Sequence, residues 1–291
     1  MSQNEEICIS HQNKEGAKLS AVFLPDQGMN FISYKKDGLE VIDPSTRGIF
    51  EERFAGLGAM IGPHFHHRKV IPPVKNEALF PHIERVRLKG TKEPFSHGIG
   101  RYARWKVESK SPSKLKCTLS GKDLWNGQTL AMLEGQDFEM SYEAEMGEKG
   151  LQITLDVTSE KGSVVGLHTY YALDGKGVVL AQVQKEYSVK GEWKPLPKEW
   201  TLGADQTLRY PLEEEIDFGF LPFPDPLGGT IYLKTPTHGV KVSYTCDHEN
   251  SWQLFHPAKA SYVCIEPLSA KNPRAPEMKE SHLKILIEIV P

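Results

Sequence analysis

The chain has no apolar run approaching the roughly 18 residues needed to cross a membrane, so no membrane partner is expected. It lacks charge imbalance too: 35 Lys and Arg face 38 Asp and Glu, a formal charge of −3 over 291 residues. Holding nucleic acid through bulk charge needs a basic excess or a clustered basic face, so that partner is not expected either. Cysteine is scarce. Cys8, Cys117, Cys246 and Cys264 stand far apart with no C-x-x-C pair, which argues against a zinc ribbon or a thioredoxin-type centre. The N-terminal Met-Ser-Gln-Asn-Glu-Glu has no apolar h-region, so no signal peptide is expected, and free thiols then fit a cytoplasmic location.

Familiar catalytic motifs are missing as well. There is no Walker A loop, no H-E-x-x-H and no G-x-S-x-G. The stretch Gly56-Leu-Gly-Ala-Met-Ile-Gly62 is spaced one residue too long for a dinucleotide fingerprint and has no βαβ context, so no cofactor is expected. Helical periodicity is sparse: segments such as Asp123–Leu133 and Gln206–Glu215 have room for a turn or two, but Gly127 and Pro211 interrupt them.

What the chain does have is period-two alternation. Phe138, Met140, Tyr142, Ala144 and Met146 alternate with Glu139, Ser141, Glu143 and Glu145, the signature of a half-buried strand. Leu151, Ile153, Leu155 and Val157 repeat the pattern after a turn at Gly147–Gly150. Thr230–Lys234, Val240–Thr245, Tyr262–Ile265 and Leu283–Val290 read as further strands, and 20 prolines and 25 glycines punctuate the turns between them. No linker or repeat divides the chain. The expected fold is all-β: one domain over residues 1–291, a large antiparallel sandwich or barrel with few short helices.

The 11 histidines and a few carboxylates carry what chemistry is visible. In Gly62-Pro-His-Phe-His-His-Arg68, a strand would set His64 and His66 on one face, a spacing able to clasp a metal. No further ligand set completes a four-coordinate site, so a polar pocket wall is the better reading, with Arg68 aimed at an anionic or hydroxyl-rich ligand. In Phe95-Ser-His-Gly-Ile-Gly-Arg-Tyr-Ala-Arg-Trp105, glycines after His97 allow a sharp turn at a pocket rim. Arg101, Arg104 and Trp105 there offer charges and an aromatic face of the kind that suits sugars, although a core tryptophan is the plainer reading. His168 lies in an apolar strand, either as a satisfied core residue or as an acid tuned by burial. Glu266 closes the run Ser261-Tyr-Val-Cys-Ile-Glu266, where a carboxylate is costly unless it is paired or functional. Asp217 leads into an aromatic strand, and Glu213–Glu215 before it read as a solvated run.

In this order, the segments resemble the aldose 1-epimerase (galactose mutarotase) family, including its hexose-6-phosphate branch. His97-Gly-Ile-Gly-Arg101 followed by Trp105 is similar to the family's His-Gly-Phe-Ala-Arg segment. Gly166-Leu-His-Thr-Tyr-Tyr resembles its His-Pro/Thr-Tyr-Phe strand, and Ile216-Asp-Phe-Gly-Phe220 its Asp-His-x-Phe segment. Phe255-His-Pro257 and Val263-Cys-Ile-Glu-Pro267 resemble Trp-Asn-Pro and Cys-Val-Glu-Pro. The resemblance implies a large β-sandwich, the galactose mutarotase-like supersandwich, that interconverts the α and β anomers of an aldose. By it, Glu266 is the general base and His168 the general acid, while His97 hydrogen-bonds the ring oxygen and Asp217 holds a hydroxyl. Arg68 and Arg101 join the substrate-binding set, and Thr169 and Arg101 lean towards the sugar-phosphate branch. No metal or redox cofactor is implied. The partners are then a monosaccharide or sugar phosphate and, at most, a second copy of the chain. A non-catalytic carbohydrate-binding domain on the same fold, and a metal-dependent sugar isomerase or lyase using His64–His67, are the competing readings.

Overall fold

The computed structural model describes residues 5–200 and 202–291. Alternation does what it should. The strand Phe138–Met146 buries its five apolar residues and turns Glu139, Ser141, Glu143 and Glu145 outward. It pairs with Leu151–Ser159 across a turn closed by a hydrogen bond from Gly147 N–H to Gly150 O (2.9 Å). Strand pairing is antiparallel throughout the described residues.

The strands form two sheets. The first runs, in spatial order, through Ile7–Gln12, Lys18–Leu24, Asn30–Lys36, Gly58–Ile61, Gly166–Ala172, Tyr262–Leu268, Ser251–His256 and Ile216–Pro222 to Val178–Val189. The second runs from Lys106–Lys110 through Lys114–Ser120, Phe138–Met146, Leu151–Ser159, Glu280–Val290, Gly239–Cys246 and Gly228–Lys234 to the same Val178–Val189. That long strand gives its first half to one sheet and its second half to the other. Its register shifts between Val183 and Tyr187, the kind of irregularity that lets a strand turn a corner between layers. Beyond it, Thr207–Pro211 pairs with its first half and Glu192–Pro195 with its second, forming the short edges on that side.

Between the sheets lies an aromatic and aliphatic core. Tyr142 meets Phe23 and Trp105 edge-on, with ring centroids 6.1 and 6.2 Å apart. Trp105 is 2% exposed and donates its indole N–H to Gly100 O at 2.8 Å, so it is a core residue and not a stacking platform for a sugar. The Tyr34 hydroxyl joins the layers, donating to Ile287 O (2.9 Å) and accepting from Leu151 N–H (3.1 Å).

Helices are few and short: Arg47–Arg53, Pro81–Leu88 and Leu130–Glu134 among the described residues. The last fulfils the expectation of a turn within Asp123–Leu133, with Thr129 as its cap accepting from Met132 N–H. Gln206–Glu215 departs from expectation, because Thr207–Pro211 is a strand. Leu208 is buried and Arg209 exposed, a period of two, and the segment pairs with Val178–Val189. Among the described residues no helix is long and apolar enough to cross a membrane.

The buried Tyr142 hydroxyl has no hydrogen-bond partner. Tyr142→Phe should therefore leave the melting temperature unchanged or raise it, since it deletes a desolvated, unpaired group. Phe23→Ala should cost about 3–5 kcal/mol in denaturant unfolding. A loss above about 1 kcal/mol in Tyr142→Phe would show that the hydroxyl is satisfied after all.

Candidate functional site

Four neighbouring strands of the first sheet lay two rows of side chains on one face. The ladder pairing Gly166 with Leu268 and Thr169 with Ile265 sets His168 opposite Glu266, and Glu266 in turn faces Gln253, which faces Gly219. Two residues along, Tyr170, Cys264, Phe255 and Asp217 form the second row. Residues i and i+2 of a strand share a face, so these short segments suffice to build a floor. Gly219 leaves room for its neighbours, since a Cβ there would sit 2.3 Å from Ser188 Oγ and 2.4 Å from Gln253 Nε2.

Loops raise the walls. His97 has φ +67°, a left-handed conformation uncommon for a residue with a side chain. It is held there by backbone bonds, its N–H donating to His66 O (2.9 Å) and its carbonyl accepting from Gly62 N–H (2.8 Å). Gly98 follows at φ +93°, and a Cβ on it would fall 1.9 Å from Gly62 O, so only glycine allows the two loops to touch. Buried Glu134 locks the same pair of loops. Its carboxylate accepts from His64 Nδ1 (2.6 Å) and from Ile99 N–H (3.1 Å). Arg53, His66, Arg101, Tyr102 and Arg274 complete a cleft of about 270 Å³, room for one monosaccharide-sized ligand. A larger, open hollow of about 900 Å³ covers the outer face of the second sheet, floored by Thr230, Ser243 and Thr245, away from this cluster of ionisable groups.

The floor is dry. His168 and Glu266 are 7% and 3% exposed, and His168 Nε2 lies 3.1 Å from Glu266 Oε1. Burial drives the Glu266 carboxyl up to about 8, Asp217 adding to the rise and Arg101 opposing it. Burial also takes His168 well below its ordinary value, and the Arg101 guanidinium pushes the same way. Near neutrality the pair is therefore a carboxylic acid beside a neutral imidazole. His97 is likewise held neutral, by burial first and Arg101 second. Asp217 stands at the exposed rim, where partial desolvation raises its pKa and Arg274 opposes the rise. Tyr170 stacks on His168, with ring centroids 4.8 Å apart and planes at 16°, and fixes the imidazole's plane.

Several buried polar atoms around the cleft lack partners: His97 Nδ1, His168 Nδ1, Arg101 Nη2 and Arg53 Nε. Buried polar groups are almost always paired, and a set of orphans facing one cavity marks a place for a polar ligand. The donor atoms of His168, Cys264 and Glu266 also lie within 4.8 Å of one another, a spacing that could hold a metal ion. Burial raises the pKa of the Cys264 thiol well above its ordinary value and that of Glu266 as stated.

Comparison by sequence finds neither a family model nor a curated protein that matches the chain. Comparison by structure does. A galactose mutarotase-like protein from Lactobacillus casei superposes with a TM-score of 0.68 at 14% identity, covering 98% of this chain and 100% of that one. An aldose epimerase homologue from C. elegans gives 0.66 at 16%, covering 99% and 100%. A galactose mutarotase related enzyme from Lactobacillus acidophilus gives 0.63 at 13%, covering 98% and 97%. The chain has the galactose mutarotase-like fold.

Within that fold, His97, Arg101, His168, Asp217 and Glu266 line one cleft. Arg68 does not. Its guanidinium grips Glu93 through Nε (3.0 Å) and Nη2 (2.6 Å) and donates through Nη1 to Leu133 O and Glu134 O, both at 2.7 Å, which holds the side chain outside the cleft. Arg104 is also elsewhere, exposed and paired with Asp26 at 2.6 Å. The histidine cluster is no strand: His66 sits at φ +61°, so His64 turns to Glu134 while His66 stacks on His67 at 4.1 Å. Among the described residues none of the three belongs to a group of converging metal ligands. The residues the sequence reading passed over are Arg53 and Arg274. Arg274 lies over the Phe65 ring at 5.8 Å, beside Asp217, in a proline-flanked loop with no motif to flag it.

Arg68 is accordingly a structural clamp. Arg68→Ala should destabilise the protein by about 3–5 kcal/mol, because it strands the buried Glu93 carboxylate. Chemical denaturation of Arg68→Ala beside Arg68→Ala/Glu93→Gln checks this: the double variant should recover part of the loss. Equal losses in the two would contradict a paired, buried role for Glu93.

Proposed function

We propose that this protein is an aldose 1-epimerase, interconverting the α and β anomers of a hexose by opening and reclosing its ring. The observation that carries this reading is the His168–Glu266 pair, an acid and a base 3.1 Å apart and buried at the floor of a cleft of monosaccharide size. The chemistry needs that and little more. With the proton on His168, the Glu266 carboxylate takes the proton of the anomeric hydroxyl while His168 gives its own to the ring oxygen. The C1–O5 bond breaks, leaving an open-chain aldehyde with a free O5 hydroxyl. The pair is now Glu266 acid and neutral His168, the same form the empty cleft favours. Rotation about C1–C2 turns the other carbonyl face to O5. Reclosure returns the O5 proton to His168 and the Glu266 proton to O1, so no net proton enters or leaves. His97 and Asp217 would hold the sugar's ring oxygen and a hydroxyl, and positioning supplies much of the remaining acceleration.

Between the two sugar classes, the arginines favour a hexose 6-phosphate. Arg53, Arg101 and Arg274 line one cleft, the first two with buried N–H groups unpaired, against a protonated Glu266, the rim carboxylate Asp217, and Glu93, whose charge Arg68 already offsets. Such an excess of donors matches a dianionic group better than a neutral hydroxymethyl.

Polarimetry on freshly dissolved α-glucose, α-galactose and glucose 6-phosphate tests both statements. Mutarotation should be accelerated, most strongly for the phosphate. Sugar binding without acceleration of any of the three would replace the enzyme by a carbohydrate-binding protein. Glu266→Gln should cost about 10²–10⁴ in rate. The same variant should raise the melting temperature. The carboxyl holds a proton in the folded state up to about pH 8, whereas the unfolded chain releases it near 4.5, so Glu266 contributes fully below 4.5 and loses that contribution as pH climbs towards about 8. The gain from Gln should thus be large at pH 8 and vanish near pH 4.5 in thermal melts. The rate of wild type should fall as the pair loses its last proton above about pH 8.

A further inference from the structure

A second cluster of ligating side chains lies on the other sheet, outside the cleft. The strand Gly239–Cys246 ends there, and the chain bends through Asp247 and His248 against the start of Glu280–Val290. His248 Nδ1 lies 2.7 Å from Asp247 Oδ1, and that carboxylate is itself pinned by His282 N–H at 3.3 Å. With the imidazole proton on Nδ1, facing that carboxylate, the Nε2 lone pair is free. Nε2 is 4.0 Å from Cys246 Sγ and 3.3 Å from Ser281 Oγ, and the ligating atoms of Cys246, Asp247 and His248 all lie within 4.8 Å of one another.

We propose that Cys246 and His248 bind a divalent ion of zinc-like softness, with Asp247 bracing the imidazole and the Ser281 hydroxyl or water filling the remaining positions. Thiolate with imidazole is the donor pair that selects such an ion over magnesium or calcium. In tetrahedral coordination, Zn–S of about 2.3 Å and Zn–N of about 2.0 Å place the two donors about 3.5 Å apart, so the observed 4.0 Å needs only a small inward movement. The carboxylate on the far nitrogen is the outer-shell partner that metal-bound histidines characteristically have. Binding forms an S–metal and an N–metal bond. It breaks the Cys246 S–H bond, whose proton passes to solvent, and displaces two waters from the ion. His248 is partly exposed and Asp247 more so, which leaves an approach open from solvent, and the ion would tie the turn after one strand to the beginning of its neighbour.

Titrating the reduced full-length protein with cobalt(II) tests the assignment. One equivalent should produce a thiolate-to-cobalt charge-transfer absorption that zinc abolishes by displacement. Cys246→Ser should remove that absorption, and Asp247→Asn should weaken zinc binding about tenfold. His248→Gln, at a partly exposed turn that tolerates change, should weaken it at least tenfold and serves if Cys246→Ser does not fold. Anomer exchange should be the same in His248→Gln as in wild type. The assignment is overturned if no thiolate band forms, or if the band survives in Cys246→Ser. It is equally overturned if His248→Gln binds zinc as tightly as wild type, or if the band is lost only in Cys264→Ser, which would put the ion in the cleft.

Discussion

The 3.1 Å contact between Glu266 and His168 puts a carboxyl and an imidazole where neither can easily carry charge. Desolvation is the largest influence on both, and it acts in opposite directions on their proton affinities, raising one and lowering the other. The pair is consequently poised between a neutral form and an ion pair that differ by one proton's position. The surroundings then make sense as means of keeping that poise. Tyr170 fixes the imidazole plane, Arg101 biases the field, and the loop carrying His97 closes over the floor.

The scaffold serves this by separating two tasks. Rows of cross-strand neighbours supply the floor, so its spacing is as fixed as the ladder itself. The walls come from loops, which are held by less regular devices: Glu134 bonding two of them, Arg68 clamped on Glu93, and Gly98 where no Cβ fits. Buried charge in these supports is tolerable because each group is paired. Among the residues lining the cleft, His97, His168, Arg101 and Arg53 each keep an unpaired buried nitrogen that a ligand would satisfy.

How legible this was in the sequence follows burial. Strands with one wet face, such as Phe138–Met146 and Glu280–Val290, advertise themselves by alternation. The strands of the cleft do not. Gly166–Ala172, Ser251–His256 and Tyr262–Leu268 are buried on nearly every residue, because loops cover the face that solvent would otherwise wet. Their period is erased, and residue content and order had to stand in for it; Ser251–His256 went unread as a strand. Gly58–Ile61, four buried residues, had the look of a glycine loop for the same reason. Arg68 shows the other limit. A basic residue beside histidines suggests a ligand, but its partner Glu93 lies 25 residues on and nothing local announces the pair. Helix Pro81–Leu88 is too short for its single buried turn, His82, Ile83 and Val86, to show as a period.

The central claim is that Glu266 and His168 share one proton out of water, and site-resolved NMR titration measures it directly. With ¹³C-labelled Glu and ¹⁵N-labelled His, assigned through Glu266→Gln and His168→Gln, the Glu266 carboxyl should titrate near 8 and His168 should remain neutral well below pH 6.5. A Glu266 carboxylate already ionised at pH 6, or a His168 imidazolium at that pH, would contradict the account.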